Sequence, residues 1–342
     1  MKTIIKTLLV SIASLSLMFS VNAGELTVNG TAKATYNSTS GNQGDMGFGV
    51  TNELNFTASG EMDNGFTWSY SMELDPASGG TANNDDTKIE LGMGDLGTLK
   101  VCVSECGNNK KYAWDASSYT SMSDTGTSYG ITYPGDAGAA GTTTIQYHTP
   151  ELPFGTTASF AYNTNASGDA VSGNAAGTSG NSRNEYSLVT KPIDGLTLSA
   201  HYNEVNDYGD GIDTEDQHEQ GGSYAAKYAM GNVTIGYGKS FQAPEILEAD
   251  LTGASVEYYE NTGMSLGYAI NDEVSVSYTR ETSEANQALS TNTTYDVEMD
   301  SVQVAYSLGG ATLSLARADV ENVSYKQNSD VTETIIAMSF AF

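Results

Sequence analysis

The sequence predicts an all-β fold, a transmembrane antiparallel β-barrel of sixteen strands, on three observations. Beyond residue 23 no run of about 20 apolar residues occurs, which excludes a membrane-spanning helix. The composition, with 37 Gly and 21 Tyr, many Thr, Ser and Asn and only 14 Lys and Arg, disfavours long amphipathic helices and suits short strands and turns. Apolar and polar residues alternate with a period of two over most of the chain, as in strands whose two faces meet different surroundings. Without helices, a chain crosses a bilayer only as a sheet closed on itself, with every backbone group paired.

The first element is a leader. Met1, Lys2 and Lys6 precede an apolar stretch from Leu8 to Phe19 and then the small residues Val21, Asn22 and Ala23, which is the pattern of a secretory signal peptide over residues 1–23, cut after Ala23. No cysteine follows to carry a lipid, so an unanchored mature chain, residues 24–342, is expected to start at Gly24. Only six prolines are present and no low-complexity linker divides the chain, so one domain is expected. The formal net charge of −28 argues against a nucleic-acid partner, because phosphate binding requires a basic patch.

The first strand alternates Leu26, Val28, Gly30, Ala32, Ala34 and Tyr36 with polar residues. The next two, with Val50, Leu54, Phe56 and Ala58 and then Phe66, Trp68, Tyr70, Met72 and Leu74, form a hairpin around a tight turn at residues 61–65. Continuing in this way places sixteen segments, starting near residues 25, 48, 66, 86, 97, 142, 155, 183, 195, 219, 232, 262, 274, 299, 311 and 331. Short connections alternate with long polar ones, the pattern of an outer-membrane barrel, whose strand number is even. Aromatic position separates this from a soluble sandwich. Outward-facing Phe66, Tyr147, Tyr228, Tyr268, Tyr306 and Phe342 fall at one end of the strands, and Tyr36, Tyr162, Tyr202, Tyr237 and Tyr278 at the other. Two girdles are what rings with one apolar and one wet end favour. The apolar face is expected to avoid charge.

Several stretches resemble the general bacterial porins, in particular those of alphaproteobacteria: GELTVNGTAKATY at residues 24–36, ELNFTASGEMDNGFTWSYSMELD at 53–75, KIELGMGDLGTLKV at 88–101, TIQYHTPELPFGTTASFAYN at 144–163 and AMSFAF at 337–342. The resemblance implies an outer-membrane location, a homotrimer of sixteen-stranded subunits, and in each a pore narrowed by an inward-folded third loop. It also implies passage of small hydrophilic solutes, and Phe342 is similar to the family's signal for the barrel-assembly machinery. The long connection at about residues 104–141 is the candidate constriction loop. The acidic proline-glycine motif found at that loop's tip in enterobacterial relatives is absent.

A diffusion pore needs no catalysis; its width and facing charges set selectivity. Parity puts Lys33, Lys88 and Lys100 on the lumen wall, opposite Glu105, Asp115, Asp124 and Asp136 of the loop. Acids facing bases would create a transverse field; alternatively Glu53, Glu73 and Glu90 on neighbouring strands pair with the lysines. The loop's Tyr112, Trp114, Asp115 and Tyr119 would form a solute site in a substrate-selective channel. A non-conducting structural or adhesive barrel is the third reading. A connection holding Glu204, Asp207, Asp210, Asp213, Glu215, Asp216 and Glu219, with no Lys or Arg among them, points to cation preference and offers oxygen ligands for Ca2+, without the spacing of a dedicated calcium loop. No other cofactor is expected. Cys102 and Cys106, the only cysteines, point in an oxidising compartment to a disulfide at the root of the loop, with free thiols as the alternative. His148, His201 and His218 have no Ser or acid arrangement that marks a nucleophile, and no Gly-x-Ser-x-Gly elbow or phosphate loop is present, so the chain is not expected to be an enzyme.

Overall fold

The computed structural model describes residues 24–41, 45–76, 82–103, 106–117, 129–135, 143–163, 182–206, 215–247, 255–288 and 294–342. The leader, residues 1–23, lies outside them. The strands in chain order are β1 (Glu25–Gly41), β2 (Met46–Glu61), β3 (Thr67–Pro76), β4 (Ala82–Gly92), β5 (Thr98–Val103) and β6 (Thr143–His148). They continue with β7 (Thr157–Asn163), β8 (Ser182–Thr190), β9 (Leu196–Asn206), β10 (Glu215–Gln217), β11 (Gln220–Met230) and β12 (Val233–Ala243). The last are β13 (Ile246–Leu247), β14 (Val256–Ala269), β15 (Val274–Gln287), β16 (Val297–Leu308), β17 (Ala311–Glu321) and β18 (Val331–Ala341). Sixteen of these form one closed antiparallel sheet in chain order, and β10 pairs with β13 outside it.

Closure rests on β1, which pairs with β2 along one edge and with β18 along the other. The seam is finished by Phe342, whose N–H donates to the Gly30 carbonyl at 3.0 Å while the Gly30 N–H donates back to the Phe342 carbonyl at 2.8 Å. A closed sheet has no unpaired edge, which is the condition for crossing hydrocarbon.

The period of two sorts the faces as the sequence implies. Large apolar side chains such as Ile235, Leu266, Val304, Leu315 and Ile336 stand exposed on the outside, whereas inward positions carry buried Gln146, Ser199, Asn203, Ser240, Ser277 and Gln303. The girdle residues Tyr202, Tyr228, Tyr237, Tyr268, Tyr278 and Tyr306 are all exposed on the outer surface.

Two departures have physical causes. The twelfth barrel strand starts at Val256, before the expected residue 262. Its first residues include Glu257, Glu260 and Asn261 and a register shift between Val256 and Tyr258, so the ladder continues where hydrophobic alternation has stopped. Charge is also present on the outer face. In β16 the outward series runs from Glu298 and Asp300 to Val302, Val304 and Tyr306, and in β17 from Leu313 and Leu315 to Arg317, Asp319 and Glu321. Most of these charges are paired: Arg280 contacts Glu298 and Asp300, Arg317 lies 3.4 Å from Asp319, and on the neighbouring strands Lys239 contacts Glu260. Where the outside is charged the inside turns apolar, with Val297, Met299, Ala318, Val320 and Val331 in one buried cluster. The ends of these strands therefore follow the rule for a water-soluble sheet, consistent with a position beyond the apolar band, where charge costs little.

Candidate functional site

The inner wall divides into two sectors. Inward residues of β8 to β18 are largely buried, while those of β1 to β5 are mostly half-exposed or exposed and carry the lysines singled out from the sequence. Lys33 lies on β1, Lys88 on β4 and Lys100 on β5. Glu90 draws the last two together, with Lys100 Nζ at 3.1 Å and Lys88 Nζ at 3.9 Å from Oε1. Of the two arrangements open in the sequence, pairing with strand acids is thus realised at Glu90. Higher on the same sector Glu53, Glu73 and Asp75 each bring a carboxylate oxygen within 4.8 Å of the others. A cavity of about 230 Å3 is lined here by Glu73, Asp86, Lys88, Lys100, Asn108 and the two cysteines.

Cys102 and Cys106 form a disulfide in the structure, with Cα atoms 6.1 Å apart, inside the usual range for a bridge. Cys102 is on β5 and buried, and the Cys106 carbonyl accepts a hydrogen bond from Gln146 Nε2 at 2.6 Å. The chain therefore leaves β5 held against β6.

From there the connection crosses to inward positions of other strands. The Asn108 N–H donates to Glu185 of β8 at 2.9 Å, and Tyr133 Oη donates to Glu281 of β15 at 2.7 Å. Asn261 Nδ2 of β14 donates to the Thr132 carbonyl at 2.9 Å. Tyr129 and Ile131 are buried in the apolar cluster on β16 to β18. Burial raises the Tyr133 phenol well above its usual range and pushes Tyr325, in the connection before β18, up to about 12.

Asp115 sits where the connection meets β11. Its carboxylate accepts from the Ser117 N–H and hydroxyl, both at 2.9 Å, and its carbonyl accepts from Lys227 Nζ of β11 at 3.2 Å. Glu105, Asp124 and Asp136 lie outside the described residues, as does Tyr119. Asp207, Asp210 and Asp213 lie outside them too, and for Glu215 and Asp216 only the backbone, in β10, is described. Glu219, from the acidic connection without bases, is met by Arg183 of β8 at 2.6 Å. His201 is buried with Nε2 3.0 Å from Glu185 on the next strand.

Sequence reasoning missed Lys110, Lys111 and Lys227. Lys111 sits over the rings of Tyr112 and Tyr133, 5.2 and 5.1 Å from their centroids. The basic pair at residues 110–111 is the signal the sequence carries for them.

No curated protein sequence matches the chain. Among solved structures it is similar to an OmpF from Salmonella typhi in complex with daunomycin, at 14% identity and a TM-score of 0.68, covering 94% of this chain and 98% of that one. It is also similar to a loop-deletion variant of OmpT from Vibrio cholerae, at 13% identity and 0.66, over 94% and 100%. An anion-selective porin from Comamonas acidovorans aligns at 13% identity and 0.64, over 93% and 100%. At such identities these likenesses establish the fold alone. The family model for Gram-negative porins matches residues 9–316, nearly the whole of the closed sheet with its apolar exterior and polar interior, and the chain belongs to that family of outer-membrane channel proteins.

Proposed function

We propose that the chain forms a water-filled channel for passive diffusion of small hydrophilic solutes and ions, with a preference for cations. The observation that carries this reading is the half-exposed polar sector on β1 to β5, set against an inner wall elsewhere covered by residues of the β5–β6 connection. That connection serves as the constriction loop, and the disulfide at its root fixes where it leaves the wall. Selectivity is decided by Lys33, Lys88 and Lys100 against Glu53, Glu73, Asp75 and Glu90, with the acidic outer connection raising cation concentration at the mouth and Asp207, Asp210, Asp213, Glu215 and Asp216 binding Ca2+ weakly. No catalytic step is involved. The chain is exported with removal of residues 1–23, recognised through Phe342 by the assembly machinery, and works as a homotrimer.

Purified protein in planar bilayers tests the reading. Stepwise conductance with a reversal potential of cation sign in a salt gradient is expected, and absence of conductance would sink it. The substrate-selective alternative is less well supported, since Trp114 is buried and Tyr112 packs on Tyr133 at 5.1 Å.

A further inference from the structure

Glycine inside a strand weakens it and often marks a close approach of another chain segment. Inward positions of β12 and β14 hold Gly236, Gly238, Gly263 and Gly267, with Gly238 opposite Gly263 and Gly236 opposite Ser265. A Cβ at any of the four would lie within 3.0 Å of Trp114 or Ala116. The Trp114 indole covers Gly238 and Gly263, its carbonyl lies over Gly236, and Ala116 lies over Gly267.

The fit is polar as well as steric. Ser265 Oγ donates to the Trp114 carbonyl at 2.9 Å and accepts from the Ala116 N–H at 2.7 Å. Lys227 Nζ donates to the intervening Asp115 carbonyl. The indole Nε1 donates to the Lys111 carbonyl at 2.9 Å, so the ring is buried with its one polar atom satisfied within the loop. Crowding by Trp114 is particular to three of these four, and not every strand glycine is crowded at all; a Cβ at Gly47 of β2 would meet nothing within 4 Å.

We propose that this glycine floor is a berth for Trp114, and that Trp114 is the positioning residue that holds the connection on the wall opposite Lys88 and Lys100 and so sets the aperture. The proposal rests on the channel reading above. The connection is also held at Asn108 by Glu185 and at Tyr133 by Glu281, and the berth fixes residues 111–117 between these points against the wall. Substitution in either partner expels the ring, and the channel then flickers.

Single-channel recording on full-length Trp114→Ala, Gly263→Ala, the double variant and Gly47→Ala tests this, with a heat-modifiable gel shift confirming a closed barrel in each. Trp114→Ala and Gly263→Ala should each change mean conductance by about twofold and add closures, because facing groups at the constriction govern conduction. The double variant should match Trp114→Ala alone, since the added methyl then has no ring to displace. Gly47→Ala should behave as the parent. A parental trace from Trp114→Ala overturns the proposal. An independent readout does not need conduction: the chain has two tryptophans, and in a Trp68→Phe background Trp114 emission should resist acrylamide quenching, a protection that Gly263→Ala removes. Quenching at the level of a free indole in the parent overturns the berth; protection without any conductance would sink the channel reading and leave the berth standing.

Discussion

Glu90 of β4 and Lys100 of β5 are cross-strand neighbours on the inner barrel wall, with Nζ 3.1 Å from Oε1, and the same oxygen is 3.9 Å from Lys88. One carboxylate therefore offsets two ammonium groups beside the proposed water path. Glu90→Gln leaves both uncompensated. A unit charge about 5 Å from a passing ion in water is worth roughly 0.8 kcal/mol, and salt screens it to about half. The cation loses and the anion gains about 0.4 kcal/mol, so the ratio of cation to anion permeability should fall about fourfold, read as a shift in reversal potential. An unchanged ratio would place these residues away from the conducting path.

Met299 is 1% exposed in the apolar cluster inside the barrel, against the loop residues Tyr129 and Ile131. Met299→Ala removes several methylene-sized groups from a packed interior and should cost about 2–5 kcal/mol. Met264→Ala, on the outward face of the same barrel, leaves a gap that acyl chains fill and should cost far less. Urea unfolding from vesicles compares the two, and equal losses would argue against a packed interior at Met299.

The Cys102–Cys106 bridge closes a very small ring, so in the chain-entropy picture its contribution is about 2 kcal/mol or less. The double serine variant should fold with nearly parental stability but show broader conductance steps, because the loop's departure from β5 loosens. Native protein without reductant should take up no maleimide, and two equivalents after reduction; labelling without reductant would mean free thiols.

Phe342 exchanges two backbone hydrogen bonds with Gly30 at the closing seam. Each is worth about 1 kcal/mol, so deletion of Phe342 should lower the unfolding midpoint only modestly. Its effect in cells should be larger, as a fall in heat-modifiable barrel recovered from the outer membrane. A parallel loss in detergent refolding would assign the residue to stability alone and remove its proposed part in assembly.

Alternation made most of the fold legible in the sequence. A strand with hydrocarbon on one side and water on the other repeats every two residues, so Ile235 or Leu315 announces its own face without reference to any neighbour. The inversion in β16 and β17, from Val302 to Asp300 and from Leu315 to Arg317, was legible in the same terms. It marks where the strands leave the apolar band, since only the stretch within hydrocarbon must be apolar outside.

The candidate site was legible only in part. Lumen parity identified Lys88, Lys100 and Glu90, whose partners lie on adjacent strands and follow from register. It has no bearing on Asp115, which caps its own turn beside Ser117 and Lys227, because parity is undefined in a loop.

The sequence by itself therefore determined which residues face lipid and which face water, because that choice depends on period two and transfer free energy. Only the tertiary structure decided what meets across the lumen. Ala116 and Ser265 are 149 residues apart and hydrogen-bonded. Their contact depends on the closure of β1 against β18, on the turn out of β5 at Cys106, and on four glycines shallow enough to admit Trp114. Closure and loop path are properties of the whole barrel, which no local pattern encodes.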